Sequence, residues 1–223
     1  MRLRAVISAL LLAAALPAPA GNPYFCTGQG RRLIYERHYA DGGRLKWRYT
    51  FSIDKVEDGS VDYSYDFRKA NGAQMYGGPI LMHAGVDSVG AVTLDLSATM
   101  QAVFRNLFPK ADVSSEGGLT VLPADLQPGD TLEDASAVVK VLGMRYTVRV
   151  SERSVLRRET LATPAGEFDC VVVAERKVEN GAGRNRDVLT HTWYAEGVGE
   201  VRHDTYDYKS SKLQTVESLI SIE

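Results

Sequence analysis

The chain predicts an all-β-dominated fold: a strongly curved antiparallel sheet, an open or half barrel, with one amphipathic helix packed on it. Three observations carry this prediction. Long runs alternate apolar and polar residues with period two. Asp-Gly and Asn-Gly pairs, which accept the positive φ angles of tight hairpins, separate those runs. A single segment, Leu96 to Leu107, carries apolar residues at helical spacing.

Residues 1–20 have the layout of a signal peptide. Arg2 and Arg4 supply a positive start and Ala5 to Leu16 is apolar but for Ser8. Pro17 breaks the helix, and Ala18-Pro19-Ala20 offers small residues at a cleavage site. The apolar run is too short to span a bilayer, so cleavage after Ala20 is expected. A single β domain over 21–223, with no transmembrane segment in the mature chain, follows. Cys26 is preceded by Pro23-Tyr24-Phe25, which does not suit lipid attachment.

In the mature chain, strands are expected at Leu33–Tyr39, Lys46–Asp54 and Val61–Phe67. Trp47, Tyr49, Phe51 and Ile53 share one face of the second, and Val61, Tyr63, Tyr65 and Phe67 one face of the third. Asp58-Gly59 between them reads as a hairpin turn. Further strands are expected at Gln74–Met82 and Val86–Leu94. The helix follows over Ser97–Phe108, capped by Asp95 or Ser97 and stopped by Pro109, with Met100, Val103, Phe104 and Leu107 on its apolar face. Ala111–Ala135, rich in turn residues, reads as a long connection. Val138–Val155, broken at Gly143, then Phe168–Val178, Asp187–Ala195, Val201–Tyr208 and Leu213–Ile222 complete the sheet. Thr163-Pro164-Ala165-Gly166, Asn180–Gly183 and Glu196–Gly199 are the late turns.

Charge and motifs exclude several function classes. The 223 residues carry 26 basic and 28 acidic side chains, for a formal net charge of −2. No Lys/Arg run follows the leader, so nucleic acid is not an expected partner. There is no GxSxG, HExxH, P-loop or GxGxxG motif. His191 and His203 lie on neighbouring predicted strands and, with Asp204 or Asp207, could build an acid–base or metal site, although their spacing matches no ligand pattern. Asp130, Glu133 and Asp134 cluster without the alternating oxygens of a calcium loop. No metal and no cofactor is therefore expected. Cys26 and Cys170 are the only cysteines; an even count in an exported chain predicts a disulfide. Closing so long a loop is worth roughly 4–5 kcal/mol in the chain-entropy picture.

Pro128–Ala135, Glu159–Cys170 and Trp193–Val201 together resemble the TapB-like family of exported domains found largely in Bacteroidota. The resemblance covers the C-terminal half and implies an envelope-associated β domain. That family has no active-site motif to transfer. The strand layout is also similar to the open barrels of the lipoprotein carriers LolA and LolB, an analogy of fold alone.

These readings predict a non-catalytic protein, periplasmic or secreted, binding an amphiphilic or glycan-like ligand in the concave face. Trp47, Tyr49, Phe51, Tyr63, Tyr65, Phe104 and Trp193 are the candidate ligand-binding residues, since Tyr and Trp join an apolar body to a polar tip. The same face serves equally well as hydrophobic core. Two alternatives stand beside this: an assembly factor binding another envelope protein at a sheet edge, and a hydrolase using His191 or His203.

Overall fold

The computed structural model describes residues 21–181 and 183–223. The expected leader, 1–20, and its cleavage site lie outside the described residues. The strands are β1 (Arg32–Tyr39), β2 (Leu45–Glu57), β3 (Ser60–Lys69), β4 (Ile80–Val86), β5 (Val92–Asp95), β6 (Val113–Gly117) and β7 (Leu119–Leu122). They continue with β8 (Thr131–Leu132), β9 (Ala135–Val141), β10 (Met144–Thr163), β11 (Gly166–Gly181), β12 (Arg184–Ala195), β13 (Gly199–Asp207) and β14 (Leu213–Ile222). The helix α1 is Leu96–Leu107.

Thirteen strands form one continuous ladder in the order β6-β9-β10-β11-β12-β13-β14-β1-β2-β3-β4-β5-β7, and β8 pairs beside it with β10. Every pairing is antiparallel. The first and last strands of this order, β6 and β7, are joined in sequence through Gly118 alone, so the sheet curls until its two edges nearly meet. The result is an almost closed barrel with a seam. Gly118 fixes the seam by donating its N–H to Ser136 O (3.0 Å) and accepting from Leu96 N (3.4 Å). At Gly117 the β6 backbone approaches β9 so closely that a Cβ would meet Ser136 O at 2.6 Å, which leaves room for glycine only.

The helix forms where its capping residue permits. The Asp95 carboxylate accepts from the N–H groups of Ser97 (2.8 Å) and Ala98 (2.9 Å), satisfying donors that the first turn leaves free. Phe104 is buried with Val113, Val139, Tyr146 and Val148, its ring 5.1 Å from that of Tyr146. Val148 shares a face of β10 with Val150, which lines the interior cavity described below, so α1 sits on the concave side as expected. It packs on β6, β9 and β4, with Phe104 reaching Tyr146 and Val148 of β10, however, and not on the aromatic face of β2 and β3. The seam brings β6 and β9 next to the helix and leaves the β2–β3 aromatics in a separate core with Leu33, Val172 and Leu219.

Four further features differ from the expected layout. Gly77-Gly78-Pro79 delay β4 until Ile80. Asp87 folds back to accept from Val89 N (3.0 Å) and Ala91 N (2.9 Å), which places a turn where the next strand was expected to begin. The Ala111–Ala135 connection contains β6, β7 and β8. Finally, Cys26 and Cys170 are both free, buried thiols, so the expected disulfide is corrected. The Cys170 thiol donates to Phe168 O (3.4 Å) within its own strand, and both cysteines serve as small apolar residues of one core.

Candidate functional site

Period-two alternation sends one side of each strand into the barrel. The inward set from nine strands converges on a cavity of about 270 Å³. Tyr35 on β1, Tyr49 and Phe51 on β2, and Tyr65 on β3 form an aromatic wall, joined by Phe25 from the N-terminal segment. Their rings pack in series: Tyr35 stacks on Tyr49 at 4.7 Å, and Phe25 meets Phe51 edge-on at 5.6 Å. Across the barrel, Arg153 (β10), Glu175 and Lys177 (β11) and Glu200 (β13) form a polar floor. Val92, Leu94, Leu96, Leu122 and Val150 close the side toward the seam.

The floor is wired through ion pairs. Arg153, 8% exposed, donates from Nε to Glu175 (3.3 Å) and from Nη1 to Glu133 O (2.9 Å). Lys177 pairs with Glu179 at 3.2 Å. Glu217, 4% exposed, accepts from Arg37 Nε (2.7 Å), Tyr49 OH (3.0 Å) and Trp47 Nε1 (3.4 Å). The Glu200 acid group is raised well above the usual carboxylate range. Burial is the largest cause, then the nearby charge of Glu217 and a hydrogen bond to it, against which Arg37 pulls downward. Tyr35 donates to the Glu200 carbonyl at 2.7 Å. His203 is held well below its ordinary value by burial and then by Arg37, Lys177 and Arg186, so its ring is neutral. Its Nδ1 lies 2.9 Å from Thr192 Oγ1 and 3.8 Å from Glu200 Oε2.

Of the residues singled out from the sequence, Tyr49, Phe51 and Tyr65 line the cavity. Tyr63 stands behind them, its ring 5.2 Å from that of Phe51. Trp47 lies at the end of the wall and supports Glu217, with Arg37 over its ring at 5.1 Å. Phe104 belongs to the separate helix core. Trp193 follows the opposite alternation of β12 from Tyr194, which lines the cavity. Its indole is flanked by Arg202 at 5.0 Å and Arg157 at 5.9 Å, and donates to Glu159.

The two β12–β13 histidines do not face each other. His203 is the register partner of Thr192 and His191 that of Asp204, so they occupy opposite sides of the hairpin. The acidic trio is also divided. Asp130 accepts from Gln127 N (2.7 Å), closing a turn, and Asp134 pairs with Arg149 at 2.8 Å. Among the described residues no group of three or more His, Cys, Asp or Glu is placed to hold a metal ion. No described helix is long and apolar enough to cross a membrane.

The polar floor was not foreseen. Its signal lies in β11, where four apolar residues (Val171–Ala174) give way to Glu175-Arg176-Lys177, charged on both alternating faces. In a curled sheet one of those faces must be the interior.

The DUF3108-like family model matches residues 29–219. The chain belongs to the DUF3108-like family. No curated protein matches the chain. Two solved structures share the fold of this DUF3108-like chain. One, from Bacteroides fragilis NCTC 9343, is described as an exported protein with a YmcC-like fold. It is 23% identical, with a TM-score of 0.71 over 91% of this chain and 99% of its own. The other, described as a lipoprotein from Parabacteroides distasonis ATCC 8503, is 19% identical, with a TM-score of 0.72 over the same shares. At these identities the likeness is one of fold. Tyr24, Phe25 and Cys26 precede the matched residues, yet Tyr24 and Phe25 line the cavity.

Proposed function

We propose that this DUF3108-like chain is an exported, non-catalytic binding protein of the cell envelope, holding a small amphiphilic or glycan-like ligand inside the barrel. The observation that carries this reading is the cavity, with an aromatic wall on one side and paired charges on the other. An unfilled interior of this kind costs packing energy and is a feature of ligand sites. Export is supported by the charged start, apolar run and Ala18-Pro19-Ala20 of residues 1–20, and by the descriptions of the two structural neighbours. The placing of His191 and His203 on opposite sides of their hairpin favours binding over a hydrolase that uses the two together.

Native mass spectrometry of the protein purified from its own envelope tests the reading. A bound species should be present, and should be lost in Val198→Trp, which fills the cavity from the β12–β13 turn. Protein that carries no ligand from the envelope, and takes up none in vitro, would refute it.

A second reading rests on the seam. Among the described residues the outer edges of β6 and β7 are not paired in the sheet, and Leu119 and Val121 on β7 are exposed. An unpaired edge of this kind accepts a strand from another protein. Co-purification of a stoichiometric protein partner, abolished by Val121→Pro, would favour it.

A further inference from the structure

The floor of the cavity combines many hydrogen-bonding groups with no spare charge. Each cation there already has a carboxylate: Arg153 pairs with Glu175 at 3.3 Å, Lys177 with Glu179 at 3.2 Å and Arg37 with Glu217 at 2.7 Å. An ionic ligand group would enter this low-dielectric space uncompensated, which is costly. A neutral group with several hydroxyls would not. Each hydroxyl both donates and accepts. The floor offers donors from Arg153 and Lys177, an acceptor in Glu175, and an acid group on Glu200.

Two more observations point the same way. The hydroxyls of Thr205 and Thr215, register partners on β13 and β14, are buried with no hydrogen-bond partner among the described residues. By alternation they stand on the same side as His203 and Glu217. Neither lines the cavity itself; they leave hydrogen-bonding capacity on that face of the sheet beyond the floor. The opposing wall is aromatic, and an aromatic ring's negative quadrupole attracts the C–H groups of a saturated ring. The volume of about 270 Å³ falls just below the ~300–1,000 Å³ typical of drug-sized ligands. That space suits one ring better than a pair of acyl chains.

We infer that the group seated in the cavity is a single neutral sugar ring, packed against the aromatic wall of Tyr35, Tyr49 and Phe51 and hydrogen-bonded to Arg153, Glu175 and Lys177. The inference rests on the cavity being the binding site, and its test separates the two claims. Titration calorimetry on the mature protein would compare octyl glycosides of glucose, galactose, mannose and N-acetylglucosamine with octanol, octanoate and octylamine. At least one glycoside should bind at least tenfold more tightly than all three simple amphiphiles. Lys177→Met, made together with Glu179→Gln so that no buried carboxylate loses its partner, should weaken that glycoside about tenfold in protein that melting shows to be folded, while Glu179→Gln alone should not. Binding of octanol, octanoate or octylamine as tightly as every glycoside would overturn the sugar assignment and leave the cavity standing as a site. Binding of no probe would overturn both. A glycoside affinity unchanged in that double variant would place the sugar elsewhere and overturn the inference.

Discussion

Removing Glu217 tests whether the polar floor is one coupled unit. This carboxylate is 4% exposed and accepts from Arg37, Tyr49 and Trp47. Glu217→Leu strands the buried Arg37 guanidinium. Breaking one partner of such a pair costs about 3–5 kcal/mol, most of it for the charge left behind. The Tyr49 hydroxyl loses its acceptor as well, at roughly 1–3 kcal/mol if nothing replaces it. A loss of about 4–8 kcal/mol lowers the melting temperature by roughly 8–32 °C for a chain of this size. Arg37→Met added to Glu217→Leu removes the stranded charge. Replacing both members of a buried pair by apolar groups is often neutral or stabilising, so the double variant should regain most of the loss. Urea unfolding of the four proteins of the cycle measures the coupling. A loss below about 1 kcal/mol for Glu217→Leu, or a double variant no more stable than the single, would show that solvent reaches Arg37 and that the floor is not closed.

Three other outcomes follow from the same structure. Phe104→Ala, in the helix core and away from the cavity, should cost about 3–5 kcal/mol and leave ligand affinity unchanged in protein that remains folded; altered affinity would place α1 in the site. Glu200 keeps in the fold a proton that the unfolded chain releases above its ordinary value of 4.5. Its stabilising contribution is therefore complete below that pH and declines as pH rises toward its raised folded value. Melting curves from pH 4 to pH 8 should show Glu200→Gln gaining on the parent as pH rises, and a constant gap would contradict the proton assignment. Burial, followed by the charges of Asp169 and Glu159, pushes the Cys170 thiol up to about 12. A maleimide at pH 8 should leave it unlabelled in the native protein and label two thiols per chain in unreduced, denatured protein; fewer than two would restore the disulfide.

Much of the scaffold was legible because local signals agreed with the final sheet. Asp58 and Gly59 both adopt the positive φ that their pair implied, and the β2–β3 alternation survives as the aromatic wall and its backing. Gly143 breaks the long C-terminal run into β9 and β10. The helix was legible because Asp95 caps it and Pro109 ends it. Its packing partner was not, because periodicity identifies an apolar face and says nothing of what covers it. Strands β6 to β8, two to five residues long and rich in Ser, Thr and Gly, are set by pairing across the seam and carry almost no local pattern. The floor stayed hidden for a related reason. A bulge shifts the register between Trp193 and Tyr194, setting Glu200 opposite Tyr194 and Arg202 opposite Trp193. Only the register decides which acidic residue faces the cavity. The disulfide expectation rested on compartment alone, which carries no geometry.

The unpartnered threonines supply the sharpest separation between an interior built for stability and one built for a ligand. Thr205 and Thr215 are 1% and 2% exposed, and their hydroxyls find no partner among the described residues. A buried hydroxyl without a partner costs about 1–3 kcal/mol. Valine matches threonine in shape and suits a strand at least as well. If these hydroxyls serve only the fold, Thr205→Val with Thr215→Val should be more stable by about 1 kcal/mol or more, and binding should not change. If they complete the polar lining for a hydroxylated ligand, the double variant should gain stability when empty and lose affinity, so that ligand raises its melting temperature less than the parent's. Both quantities come from one pair of melting curves, with and without the tightest-binding octyl glycoside. A variant that loses stability when empty would mean that the hydroxyls are bonded to internal water, and that the interior's unfilled polar capacity is smaller than the structure implies.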